Sequence, residues 1–154
     1  SSMSARTEPE TPYGNHRLIC ERLVLDYGGK VVRLGYMYSH DRVYGALRDI
    51  LDDNEVFLSR ESRYSFSDVR WNAKKIVDIC ESKFPPKCLE LGSSGSISLR
   101  EVAEIMGSRS RFNQERKDVQ VARDSFDDQP DTSSFIRYLH KLRGKKNESP
   151  SLGE

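Results

Sequence analysis

The feature that most restricts the fold of this chain is a change of hydrophobic period at Gly28-Gly29. Upstream, Leu18, Ile19, Val24 and Leu25 recur at helical spacing, with Thr11 as the expected N-cap and Pro12 at the first helical position, where a missing N–H costs nothing. Downstream, "KVVRLGYMY" (30 to 38) is short, β-branched and aromatic, which suits a strand. The same switch recurs along the chain. "VYGALRDILDD" returns to helical spacing, "EVFLS" reads as a short strand, and "SFSDVRWNAKKIVDICE" sets Val69, Ala73, Ile76, Val77 and Cys80 on one helix face behind a Ser67 or Asp68 cap. Pro85-Pro86 stop that helix before "KCLELG", a candidate buried strand that ends in the turn "GSSGS". Ser98 with Glu101 three residues on forms a capping box for a helix reaching Met106, and "DTSSFIRYLHKL" predicts a last helix from Ser133 to Leu142. Strands alternating with helices across short connections call for one α/β domain over residues 1–143 with a partly parallel sheet. Residues 144–154 are poor in apolar side chains and are expected to be a disordered tail.

Composition narrows the function classes. The chain has 154 residues, enough to bury a core without disulfides or metal. Its formal net charge of +1 provides no overall field for capturing a polyanion, so nucleic acid is an unfavoured partner. No apolar run approaches the roughly 18 residues of a membrane span, and the opening "SSMSARTEPE" has no apolar signal-peptide core. The three cysteines, Cys20, Cys80 and Cys88, lack C-x-x-C spacing and sit among apolar residues. They read as reduced, buried thiols of a cytoplasmic protein, with no metal site expected.

Tyr13 and Arg17 stand four residues apart at the start of the first long helix, close enough for the guanidinium to stabilise a phenolate. Such a tyrosine serves as a general acid or base in carbonyl and alcohol chemistry. The same spacing equally describes a tyrosine covering apolar surface beside a solvated arginine, and spacing alone leaves both readings open.

The surrounding residues add a resemblance. "TPYGNHRLICERLV" resembles the Y-x-x-x-K segment of the extended short-chain dehydrogenase/reductases, the family of nucleotide-sugar epimerases, dehydratases and reductases, with Tyr13-Gly14 and Glu21 matching and Arg17 in the place of the lysine. "VVRLGYMY" is similar to that family's R-x-G-x-x-Y strand, "RYSFSDVRWNAKKIVDI" to its F-x-x-V-D-D-V-A helix start, and "CLELGSSGSISLREVAEIMG" to its strand, Gly-rich turn and S-L-x-E-L-A helix. The order is the family's, over residues 1 to 142. The resemblance implies an α/β domain equivalent to the C-terminal, substrate-side portion of a Rossmann-type enzyme, truncated relative to it and lacking the N-terminal dinucleotide-binding half. It also implies a proton exchanged by Tyr13, a substrate oxygen oriented by Ser2, and a positive charge from Arg17. Arg63 and Arg116 would contact the diphosphate of a nucleotide sugar, and the helix carrying Tyr13 would pack in a homodimer.

Two departures qualify these expectations. A guanidinium differs from the motif's ammonium in reach and donor geometry, so Arg17 is expected to impair the chemistry. The NAD or NADP implied by the resemblance would be bound by sequence outside this chain, because no G-x-x-G-x-x-G turn follows a first strand here. Two other classes remain. One is a non-catalytic binding or assembly module of the same fold. The other is a helix-turn-helix DNA-binding protein, with "SLREVAEIMG" as first helix and Arg109 and Arg111 facing phosphates, although only Phe112 follows to build a second helix. The missing glycine turn predicts that titrating NADH into this chain gives no saturable fluorescence change in the micromolar range; saturation there would overturn the assignment of cofactor binding to other sequence.

Overall fold

The computed structural model describes residues 1–40, 42–113 and 116–148. The elements in chain order are α1 (Ser4–Thr7), α2 (Pro12–Asp26), β1 (Val31–Leu34), β2 (Met37–Tyr38), α3 (Gly45–Leu51), β3 (Arg63–Tyr64), β4 (Ser67–Asp68), α4 (Val69–Glu81), β5 (Cys88–Leu91), β6 (Ile97–Ser98), α5 (Leu99–Met106), β7 (Val119–Gln120) and α6 (Thr132–Glu148). The strands form three small sheets. β1 pairs in parallel with β5, Val31 opposite Cys88 through Leu34 opposite Leu91, and β2 pairs in parallel with β4. β3 lies between antiparallel β6 and parallel β7. The free edge of β1 is taken by the first residues: the Ser1 ammonium donates to the Val32 carbonyl (2.8 Å), Leu34 N–H donates to the Ser1 carbonyl (3.0 Å), and Ser2 bridges Leu34 in parallel.

The expected strand over 30 to 38 is two strands, because its middle changes partners. Gly35 N–H still donates to the Leu91 carbonyl at the end of β5 (3.2 Å), whereas the Tyr36 carbonyl accepts from Ser67 N–H in β4 (3.1 Å). "EVFLS" is not a strand; of its residues only Val56 forms a bridge, an isolated one to Phe112, so no ladder forms. The capping box is as the sequence predicts, with Ser98 Oγ accepting from Glu101 N–H (3.2 Å) and the Glu101 carboxylate accepting from Ser98 N–H (2.8 Å). Its helix buries Leu99, Val102, Ala103 and Met106 against α3 and α6. At the centre the rings of Phe66 and Phe135 stack with centroids 4.1 Å apart, and Tyr36, Tyr38, Tyr64 and Tyr138 surround them. α6 continues past Leu142 to Glu148, docked through an Arg143 donation to the Ile105 carbonyl (2.9 Å). Thus residues 144–148 of the expected tail are helical; the remainder of the tail lies outside the described residues. No helix follows α5 closely among the described residues, which removes the helix-turn-helix reading: after the left-handed cap at Gly107 the chain extends from Ser108 to Asn113.

Two helices present faces other than those their apolar patterns predict. α4 buries Asn72, whose amide donates to Ser67 Oγ (2.8 Å), and half-buries Ile76 and Ile79; Val69, Ala73, Val77 and Cys80 are exposed. Asp68 caps it by accepting from Arg70 N–H (2.7 Å). α2 turns Gly14 and Glu21 inward and leaves Ile19, Leu23 and Val24 exposed. The cysteines follow these faces. All three are free, but Cys80 is exposed and Cys20 and Cys88 only half-buried, so they are not the buried thiols expected.

Gly14 explains the orientation at the start of α2. A Cβ built on it would lie 1.9 Å from the Glu8 carbonyl oxygen and 2.7 Å from that of Ser4, so only glycine lets the loop after α1 cross the first turn of α2. Both contacts are backbone and cannot step aside, so Gly14→Ala is expected to destabilise by about 3 kcal/mol, the upper part of the overpacking range. The check is the midpoint of urea unfolding.

Candidate functional site

The first turn of α2 is pinned by Thr11, whose hydroxyl oxygen accepts from Gly14 N–H (3.0 Å). Tyr13 emerges from this turn 55% exposed. One turn on, the Arg17 guanidinium lies over the Tyr13 ring, 5.4 Å from its centroid, a cation–π contact. One Arg17 terminal nitrogen is 3.3 Å from His16 Nδ1, while its Nε is buried without a partner. Arg17 also lines a cavity of about 160 Å³ with Ser1, Cys20, Glu21, Val24 and the start of β1.

The Ser2 hydroxyl accepts from Ser4 N–H (3.2 Å) and lies 3.3 Å from Ser4 Oγ, turning the chain into α1. The structure therefore joins Tyr13 to Arg17, and sets Arg17 and Ser1 on one cavity. Among the described contacts, Ser2 meets neither Tyr13 nor Arg17.

Arg63 and Arg116 sit on neighbouring paths, since β3 and β7 are paired and Arg63 N–H donates to the Asp118 carbonyl (2.8 Å). Each guanidinium already has partners. Arg63 donates to Ser96 Oγ (3.2 Å), to the Ser96 carbonyl (3.0 Å) and to Glu101 (3.4 Å). Arg116 is paired with Glu8 at 2.5 Å and approaches Glu10 at 3.9 Å. Any anion contacting these arginines has to compete with a carboxylate.

Beside Arg116 lies a group the sequence reading missed. Asp118 is buried, with Oδ2 accepting from the Tyr64 hydroxyl (3.0 Å) and from the Gln120 amide (2.9 Å), and with Oδ1 unpartnered. Burial pushes its carboxyl up, against the opposing bonds from Tyr64 and Gln120 and the charge of Arg116. Glu8 is also raised, first by burial and then by the Asp118 charge. The signal was present in "RKD", where an acid follows Arg116 by two residues, but only the pairing of β3 with β7 brings Tyr64 to it, and only the packing of α1 on β7 brings Glu8.

The backbone groups of the glycine turn after β5 are already taken: Ser94 N–H donates to the Pro130 carbonyl (2.8 Å), the Ser94 carbonyl accepts from Thr132 N–H (3.2 Å), and the Gly92 carbonyl accepts from Gln129 (2.9 Å). The helix beyond it is closed by its own capping box. Among the described residues no group of three or more His, Cys, Asp or Glu side chains is placed to hold a metal, and no helix is long and apolar enough to cross a membrane.

No protein-family model and no curated protein matches this chain. Solved structures do. The UDP-N-acetylglucosamine 4-epimerase from Bacillus cereus superposes with a TM-score of 0.64 at 13% identity, covering 95% of this chain and 63% of that one. An NAD-dependent NDP-hexosamine 5,6-dehydratase of tunicamycin biosynthesis gives 0.65 at 15% identity, over 100% and 63%. The L-threonine 3-dehydrogenase from Trypanosoma brucei gives 0.68 at 15% identity, over 99% and 64%. The fold is thus the α/β arrangement of Rossmann-type short-chain dehydrogenase/reductase structures, and this chain spans somewhat under two thirds of their length. The activities in those names belong to those proteins.

The Asp118 environment has a pH signature. A carboxylate raised by burial opposes folding while ionised, and this cost disappears as pH falls through its folded pKa. Asp118→Asn, which keeps an acceptor for Tyr64, is expected to unfold at higher urea than wild type at pH 7. The advantage should shrink on acidification and be gone near the ordinary aspartate pKa of about 3.9. Urea midpoints across pH 4 to 7 check this.

Proposed function

We propose that this chain is the C-terminal, substrate-side portion of an NAD(P)-dependent nucleotide-sugar epimerase, dehydratase or reductase, completed by a Rossmann half carried in other sequence. The observation that carries the reading is the run along β1: Ser1 and Met3 hydrogen-bond its edge on either side of Ser2, and α2, bearing Tyr13 and Arg17, is the next long element and returns the chain to β1. This is the order in which the sequence resembles the family, in a fold shared with epimerase and dehydratase structures. In this reading Tyr13 exchanges a proton with a sugar hydroxyl or carbonyl, Ser2 orients that oxygen once freed from Ser4, and Arg17 supplies the positive charge. Hydride transfer is the cofactor's chemistry and belongs to the other half. The planar guanidinium makes this chain's part of the reaction slower than the lysine would.

A second reading, a non-catalytic assembly module of the same fold, is favoured by one observation. The exposed apolar residues Ile19 and Leu23 on α2, Tyr27 at its C-cap, and Val69 and Val77 on α4 leave helix faces of the kind that a partner covers. A Rossmann half or a second copy of this chain would suit them.

The test is a thermal-shift screen with UDP-, GDP- and dTDP-sugars. A ligand at about 100 times its Kd stabilises the native state by roughly 2.7 kcal/mol, or about 5 to 10 °C for a domain of this size. Arg63→Ala and Arg116→Ala should each reduce the shift. No shift at millimolar concentration favours the assembly module, and a shift that survives both substitutions refutes the phosphate assignment.

A further inference from the structure

We infer that the groove between α5 and the segment Gly107 to Asn113 is a binding site for a nucleoside di- or triphosphate. The groove encloses about 550 Å³ and is lined by Arg60, Arg100, Arg111, Glu104, Ala103 and Phe112, among others, a volume within the range of small-ligand pockets. Three arginines border it from three segments, each held by main-chain bonds. The Arg60 carbonyl accepts from Arg100 N–H (2.9 Å), and the Arg111 carbonyl accepts from Val56 N–H (2.8 Å). Asp53 accepts from Ser108 Oγ (2.9 Å) and from Arg109 N–H (2.8 Å), fixing the segment after the Gly107 cap. Binding therefore orders side chains but not backbone, which keeps its entropic cost low.

The charge balance favours an anion. Arg60 and Arg111 have no carboxylate partner among the described residues. Arg100 meets Glu61 at 3.3 Å in a pair whose side chains are both nearly half exposed, an interaction weak enough to exchange for a phosphate. Glu104 is the acid in the lining. Guanidinium forks suit bidentate contacts to phosphate oxygens, and three of them fit a chain of two or three phosphates better than a single ion. Half-buried Phe112, beside buried Ala103, gives the groove an apolar wall on which a planar base can rest. Arg63 and Arg116 are directed to Ser96, Glu101 and Glu8 and take no part in it.

The experiment is calorimetric titration of the chain with ATP, tripolyphosphate and adenosine. ATP is expected to bind saturably, more tightly than tripolyphosphate, and less tightly as salt rises. Arg60→Ala and Arg111→Ala should each weaken ATP by about fivefold to tenfold, as befits loss of an exposed charge-assisted contact, while Arg22→Ala and Arg70→Ala, exposed arginines outside the groove, leave it unchanged. Both groove arginines are exposed, and circular dichroism verifies that the variants remain folded. Absence of saturable binding of ATP and tripolyphosphate at millimolar concentration, or binding indifferent to loss of both arginines, overturns the proposal. Tripolyphosphate binding as tightly as ATP overturns the base-resting role of Phe112.

Discussion

A chain of alternating charges, Arg6 to Glu90 to Arg33 to Glu21, holds the layers of this structure together. Glu90 on β5 accepts from Arg6 of α1 (2.6 Å) and from Arg33 of β1 (3.2 Å), and Arg33 turns its other face to Glu21 of α2 (2.7 Å). Both carboxylates are almost fully buried. Burial works to raise them, yet the hydrogen bonds and charges of their arginine partners outweigh it and hold both below the usual carboxylate range. Such a network adds little net stability over a well-packed apolar core, but losing one member strands a buried charge, at about 3–5 kcal/mol. It therefore acts chiefly on orientation: α2 has to face the sheet with Glu21 inward.

The exposure of α2 follows from that constraint. With Gly14 and Glu21 facing in, Ile19, Leu23 and Tyr27 face out, and Tyr13 and Arg17 come to the rim stacked on each other. Glu8 touches both the start of α2 and the Arg116 segment. Its carbonyl lies against Gly14, and its carboxylate pairs with Arg116, close to Asp118 and Tyr64.

The aromatic core lies elsewhere, among α3, α5, α6 and the short strands. Its independence from the charge network explains how the fold closes although the apolar faces of α2 and α4 stay open. The core is thus closed by α3, α5, α6 and the short strands, while the glycine turn after β5 engages its polar groups with the chain that follows it.

The sequence by itself determined what depends on neighbours within a few residues. Thr11 and Pro12 start α2, Asp68 caps α4, Ser98 and Glu101 close the capping box, and Pro85-Pro86 separate helix from strand, because these are local hydrogen-bonding and steric requirements. Tyr13 and Arg17 were legible as a pair because one helical turn separates them. What only the tertiary structure decided was which face each helix buries and which charges meet. Val69, Ala73 and Val77 follow a helical period, but the period does not say that Asn72 will bond Ser67 and carry the opposite face inward. Glu21 and Glu90 look like surface acids until β1 pairs with β5 and brings Arg33 between them. Asp118 becomes a buried carboxylate only when β7 lies beside β3. Long-range pairing sets these contacts, and one sequence contains no local trace of it.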